Sequence, residues 1–127
     1  MKFERVYSAS PWEAKVGYCR AVRAGNLIFV TGSAPIGDDG KLFAPGRPYE
    51  QARRCIEIIE TAIKGLGGEL SNVVRTRMFV TDVSLWAEFG RAHREFFEKH
   101  PPATSMVQVA ALIEPGMLIE IEADAVL

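Results

Sequence analysis

The stretch Met117–Val126, MLIEIEADAV, alternates without a break. Leu118, Glu120, Glu122 and Asp124 fall on one side of an extended chain, and Ile119, Ile121, Ala123 and Ala125 on the other. A strand built this way belongs to a sheet covered on one face only. Its apolar side packs into a core, and its side with three carboxylates is solvated or lines a cleft.

Working outward from that strand, Ile113-Glu114-Pro115-Gly116 carries a Pro-Gly turn signal, and Ser105–Leu112 before it reads as a second strand. The two are expected to form an antiparallel pair. Upstream, Ser84 reads as the cap of a helix whose apolar face is Leu85, Trp86, Phe89, Ala92, His93, Phe96 and Phe97, ended by His100-Pro101-Pro102. Val73–Val80 (VVRTRMFV) is β-branched and bounded by Ser71-Asn72 and Asp82, as a strand is. From Tyr49, the residues Ala52, Cys55, Ile56, Ile59, Ala62, Ile63 and Leu66 recur at three- and four-residue spacing until Gly65, Gly67 and Gly68 stop them, which predicts the longest helix. Gly32–Pro48 holds too many Gly and Pro for regular structure and reads as a long surface loop. Tyr18–Thr31 reads as a hairpin turning at Ala24-Gly25-Asn26, with a short strand at Phe3–Tyr7 before it.

The order strand, strand, strand, helix, strand, helix, strand, strand defines an α+β fold, a mixed sheet with two helices on one face. Two helices cannot cover both faces of a sheet that size. Packing the bare face against copies of the chain would bury the leftover apolar area and create clefts between subunits, where ligand sites commonly form.

The 127 residues are about one domain's worth of chain, read as a single domain over 1–127, and 48 % hydrophobic content suffices for a core. With 15 Lys and Arg against 16 Asp and Glu, no strong field gathers nucleic acid or anionic lipid. Cys19 and Cys55 match no metal-ligand or CxxC spacing and read as small apolar residues. The opening MKFERVYSAS is too charged for a signal peptide, and no apolar run of about 18 residues occurs. A cytoplasmic protein with no membrane partner and no nucleic-acid partner is expected. Ser105 lacks a Gly-x-Ser-x-Gly context, and Asp38-Asp39-Gly40 lacks the spaced carboxylates of a calcium loop. His93, on an apolar helix face, reads as a packed core or interface histidine, and His100 as a helix-end residue with a favourable dipole contact. Glu120, taken alone, reads as a solvated sheet-face acid.

Pro102-Ala103-Thr104-Ser105, the alternating strand that follows, and Leu118-Ile119-Glu120-Ile121-Glu122-Ala123 together resemble the C-terminal signature of the YjgF-like family, also called Rid, for reactive intermediate deaminase. Val16-Gly17-Tyr18, Gly25-Asn26, Val30-Thr31-Gly32, Phe79-Val80-Thr81-Asp82 and Glu95-Phe96-Phe97 fall where that family has similar segments, so the likeness spans nearly the whole chain. The resemblance implies a fold like the small chorismate mutase, a homotrimer with three inter-subunit clefts, hydrolysis of reactive 2-imino or enamine acids to 2-keto acids and ammonia, and no metal or organic cofactor. It places Tyr18, Thr31, Gly32, Thr104 and Glu120 at the cleft, with Glu120 as the catalytic carboxylate and the others as ligand contacts. It also marks two departures. Thr104 stands where the deaminating branch has Arg to grip the substrate carboxylate, and Gly90 where that branch has Asn. Arg20, Arg75, Arg77 and Arg91 are the cations that could replace the missing grip, and two arginines on one strand more often form salt bridges.

Three functions follow as expectations: an imine or enamine hydrolase of altered substrate range, a trimer that binds a small metabolite without turning it over, and RNA cleavage or translation inhibition. The balanced charge and the lack of a basic stripe with interleaved aromatics argue against the third.

Overall fold

The computed structural model describes residues 1–127. The longest helix, α2 (Pro48–Gly65), starts with Pro at its first position, where a missing N–H costs nothing, and buries Ala52, Cys55, Ile56, Ile59, Ala62 and Ile63. That stripe lies across β3 (Leu27–Ser33) and β6 (Ile119–Val126). Ile28 and Val30 of β3 and Ile119, Ile121, Ala123 and Ala125 of β6 are buried beneath it, as the alternation requires. The second long helix, α3 (Trp86–Phe97), packs beside α2 with Phe89, Ala92, His93 and Phe97 inward. Its entry is a 3-10 turn at Val83–Leu85 capped by Asp82, which accepts from the Ser84 amide at 3.0 Å; Ser84 is the capped residue and not the cap. Trp86, expected on the apolar face, is 63 % exposed.

The sheet has six strands in the order β1-β2-β3-β6-β4-β5, where β1 is Phe3–Val6, β2 is Ala21–Ala24, β4 is Val73–Val80 and β5 is Ala103–Gln108. All pairs are antiparallel except β4 with β5. The expected β5–β6 hairpin does not form. The chain leaves α3 and returns beside β4 in parallel, the normal outcome of a β-α-β crossover, and β6 then inserts between β3 and β4. The composition of the two strands explains the placement. β6 offers an unbroken apolar face for the centre, whereas β5, with Thr104, Ser105 and Gln108, is an exposed edge that stops four residues short of Leu112. The Pro115-Gly116 turn is real, with Gly116 at φ +92°, but it only redirects the chain into β6. Buried Gln51 holds that entry. Its Nε2 donates to the Gly116 carbonyl at 3.0 Å and its Oε1 accepts from the Leu118 amide at 2.8 Å.

Two further features depart from the sequence reading. Pro35 and Ile36, inside the stretch read as a surface loop, are buried. A short helix α1 (Trp12–Val16), unread in the sequence, is ended by Gly17 at φ +90°, a left-handed turn that suits glycine and sends Tyr18 back toward β2. The sheet face away from α2 and α3 stays bare. It carries Phe29, Arg77, Phe79, Val107, Glu122 and Asp124, with Phe29 44 % and Val107 45 % exposed. No helix is long and apolar enough to cross a membrane.

Candidate functional site

The strand pairing breaks at one place on the path to the site. Between Val30 and Ser33 the β3–β6 register shifts, so Thr31 and Gly32 form a bulge opposite Glu122 of β6. Glu120 stands on β6 beside that bulge. A side chain at Gly32 would occupy the space of the Glu120 carboxyl group, whose Cδ would lie 2.9 Å from a Cβ there. Gly32 is therefore the residue that lets the carboxyl group lie against the backbone.

Around these residues lies a cavity of about 610 Å³ at the end of the sheet. The segment Val6–Trp12 bounds one side, the loop Ala34–Asp38 a second, and the flank of α2 through Arg54, Ile58 and Thr61 a third. Tyr18, Arg20, Thr31, Gly32 and Glu120 all line it. Burial pushes the Glu120 carboxyl above the ordinary glutamate range, with Glu122 adding to the rise and the Arg20 charge opposing it. The Thr31 hydroxyl donates to the Cys19 carbonyl at 2.8 Å, so toward a ligand it acts as an acceptor. The guanidinium of Arg20 lies 5.5 Å from the Tyr18 ring centroid.

Arg20 is nearly fully buried, and every nitrogen has a partner. Nε and Nη2 each lie 3.0 Å from Glu13 Oε2, and Nη1 donates to the Gly32 carbonyl at 2.9 Å and to Ser33 Oγ at 3.3 Å. Glu13, on α1 and 5 % exposed, also accepts from the Ser8 amide at 2.9 Å and from the Ser8 hydroxyl. One buried ion pair thus ties α1 to the Thr31-Gly32 bulge.

Thr104 lies elsewhere in the chain. It is on β5, two strands from β6, with its Oγ1 accepting from Thr76 at 2.7 Å; Thr76 Oγ1 is also 2.8 Å from Nε2 of buried His93. His93 is therefore partnered, with its pKa lowered by burial. Of the remaining candidate cations, Arg77 pairs with Glu122 and Asp124, and Arg91 covers the Tyr49 ring and pairs with Glu88. Arg75 makes no ion pair. Cys19 and Cys55 are free thiols, and burial pushes that of Cys55 up. No group of three or more His, Cys, Asp or Glu is arranged to hold a metal ion.

Comparison with known proteins gives this geometry a context. Residues 8–127 match the family profile described as endoribonuclease L-PSP. The chain belongs to the YjgF-like family. Rv2704 of Mycobacterium tuberculosis, a crystal structure described as a member of the YjgF/YER057c/UK114 family, is 46 % identical, with a TM-score of 0.88 over 99 % of this chain and 100 % of that one. The uncharacterized protein SCO2049 of Streptomyces coelicolor is 35 % identical over 95 % of this chain and 90 % of its own. The 2-iminobutanoate/2-iminopropanoate deaminase of Rattus norvegicus is 31 % identical over 96 % of this chain and 89 % of its own.

Within this YjgF-like chain, sequence reasoning missed Ser8, Glu13 and Arg54 at or beside the cavity. Glu13 sits in SASPWEAKV, which has no periodicity to mark a buried face, and nothing in the sequence announces its pairing with Arg20. Arg54 falls on the flank of α2 next to Cys55, where the helical pattern shows a boundary residue but not what it faces.

Proposed function

We propose that this protein hydrolyses imines or enamines of small metabolites at the Glu120 cavity, with a substrate range altered from that of 2-imino acid deaminases. The supporting observation is the half-buried Glu120 carboxyl, held in a cavity against the Thr31-Gly32 bulge with its pKa raised. As a carboxylate, Glu120 takes a proton from a water attacking the C=N carbon and passes it to nitrogen to give a carbinolamine. It then relays the carbinolamine hydroxyl proton to the same nitrogen as the C–N bond breaks, so that imine and water become carbonyl and ammonia. Thr31 accepts from the ligand and Tyr18 packs against it. The deaminase name of a relative 31 % identical along most of its length supports the reaction class.

The working form in this proposal is a homotrimer. The bare sheet face beside Glu120 then meets a neighbouring subunit, whose β5 edge brings Thr104 to the cleft. Thr104 offers a hydroxyl and no charge, so substrates that depend on an arginine grip for their carboxylate are disfavoured; this is the altered range.

The test is ammonia release from freshly generated imines, both 2-imino acids and uncharged ketimines, by the wild type and Glu120→Ala. Release by the wild type that vanishes in Glu120→Ala supports the proposal. Release that survives the substitution removes Glu120 from the chemistry. Ligand-dependent stabilisation of the wild type with no product would instead favour a binding role, the reading that the missing arginine supports.

A further inference from the structure

Two cations, Arg20 and Arg54, line the cavity. Arg54 sits at its rim, where Nε donates to the Ile36 carbonyl at 2.7 Å and Nη2 pairs with solvent-exposed Asp38 at 3.0 Å. Arg20 is the cation that acts on Glu120, and it is cancelled from behind. Glu13 contributes one buried negative charge against it at 3.0 Å, contacting Nε and Nη2, and the Gly32 carbonyl and Ser33 hydroxyl take both Nη1 donors. A ligand carboxylate entering here would meet Glu120 and would find no cation that lacks a carboxylate partner. The walls are of another kind. Trp12, Val16, Tyr18, Ile58 and Ile113 surround a volume of about 610 Å³, within the roughly 300–1,000 Å³ range of sites that bury drug-sized ligands.

We infer that Glu13 sets the ligand class of this cavity. By neutralising Arg20 it makes the site select uncharged amphipathic molecules, with an apolar or aromatic body and one imine or carbonyl group presented to Glu120, and reject carboxylates of the same shape. Glu13 is a specificity-determining residue that acts through Arg20. This inference rests on the reading of the Glu120 cavity as the ligand site.

A matched pair of probes tests it. Isothermal titration calorimetry with 3-phenylpropanamide and 3-phenylpropanoate compares an uncharged ligand with an anion of nearly the same size. The wild type should bind the amide at least about tenfold more tightly than the carboxylate. Glu13→Gln keeps the shape and removes the charge, so it should bring the ratio to one or below as Arg20 becomes available to the anion. Equal or tighter carboxylate binding by the wild type overturns the inference, as does failure of the amide to bind at millimolar concentration. A folded Glu13→Gln with the wild-type ratio also overturns it. If Glu13→Gln does not fold, a wild-type ratio of one or below still overturns the inference, and restoration of carboxylate binding in a folded Glu13→Ala supports it. Absence of ammonia release from every imine would sink the hydrolase proposal and leave this ratio standing. A carboxylate-preferring wild type that still hydrolyses imines would sink only the inference about Glu13.

Discussion

Gly32 has no side chain because the Glu120 carboxyl group fills the place of one. The atom that a Cβ would meet belongs to the end of a flexible side chain, so Gly32→Ala should move Glu120 without unfolding the protein. The expected outcome is a thermal midpoint within a few degrees of wild type and at least a hundredfold loss of kcat/KM in the ammonia assay. A variant that keeps its turnover would show that the close packing of these two residues is incidental. At this scale the sequence was partly legible. Glu120 and the Thr31-Gly32 pair could be picked out because alternation assigned Glu120 to the uncovered face and the family resemblance gave that face a cleft. The commitment of the Thr31 proton to the Cys19 carbonyl could not be read, since it depends on the approach of the segment before β2 to the bulge.

Between residues and the whole fold, α1 holds a position that its five residues could not hold alone, because a helix that short is unstable in isolation. It is anchored by Glu13, buried with Arg20. Glu13→Ala leaves the Arg20 charge buried without its partner and should cost about 3–5 kcal/mol in urea unfolding. A cost below about 1 kcal/mol would mean that water reaches Arg20 and that the pair is a surface one. The helices and strands with strong periodicity, α2, α3, β4 and β6, were legible because burial on one face leaves its period in the residues. Strand neighbours were not. A Pro-Gly turn between two β-type segments suggested a hairpin, and the competing influence was the crossover through α3, which lays β5 parallel to β4 and leaves the centre to β6.

The whole molecule leaves a sheet face uncovered, with Phe29, Phe79 and Val107 among the charges of Arg77, Glu122 and Asp124. Sequence reasoning anticipated this face from the count of helices against strands, but the number of copies that cover it is not written in one chain's periodicity. Light scattering coupled to size-exclusion chromatography should give three times the 14.0 kDa chain mass, and Phe29→Arg should lower it toward one. A monomeric wild type would remove the inter-subunit cleft from the proposal. In the proposed hydrolysis the Glu120 carboxylate acts as the base. Its folded pKa lies above the ordinary value near 4.5, and the acting form is deprotonated, so turnover should be low in acid and rise as pH climbs through the raised pKa. The measurement that tests this most directly is the pH dependence of kcat/KM for ammonia release, with Glu120→Gln beside the wild type. The expected result is a rising limb with an apparent pKa above 4.5, and loss of both the limb and the activity in Glu120→Gln. A flat profile, or a rising limb that persists in Glu120→Gln, would contradict it.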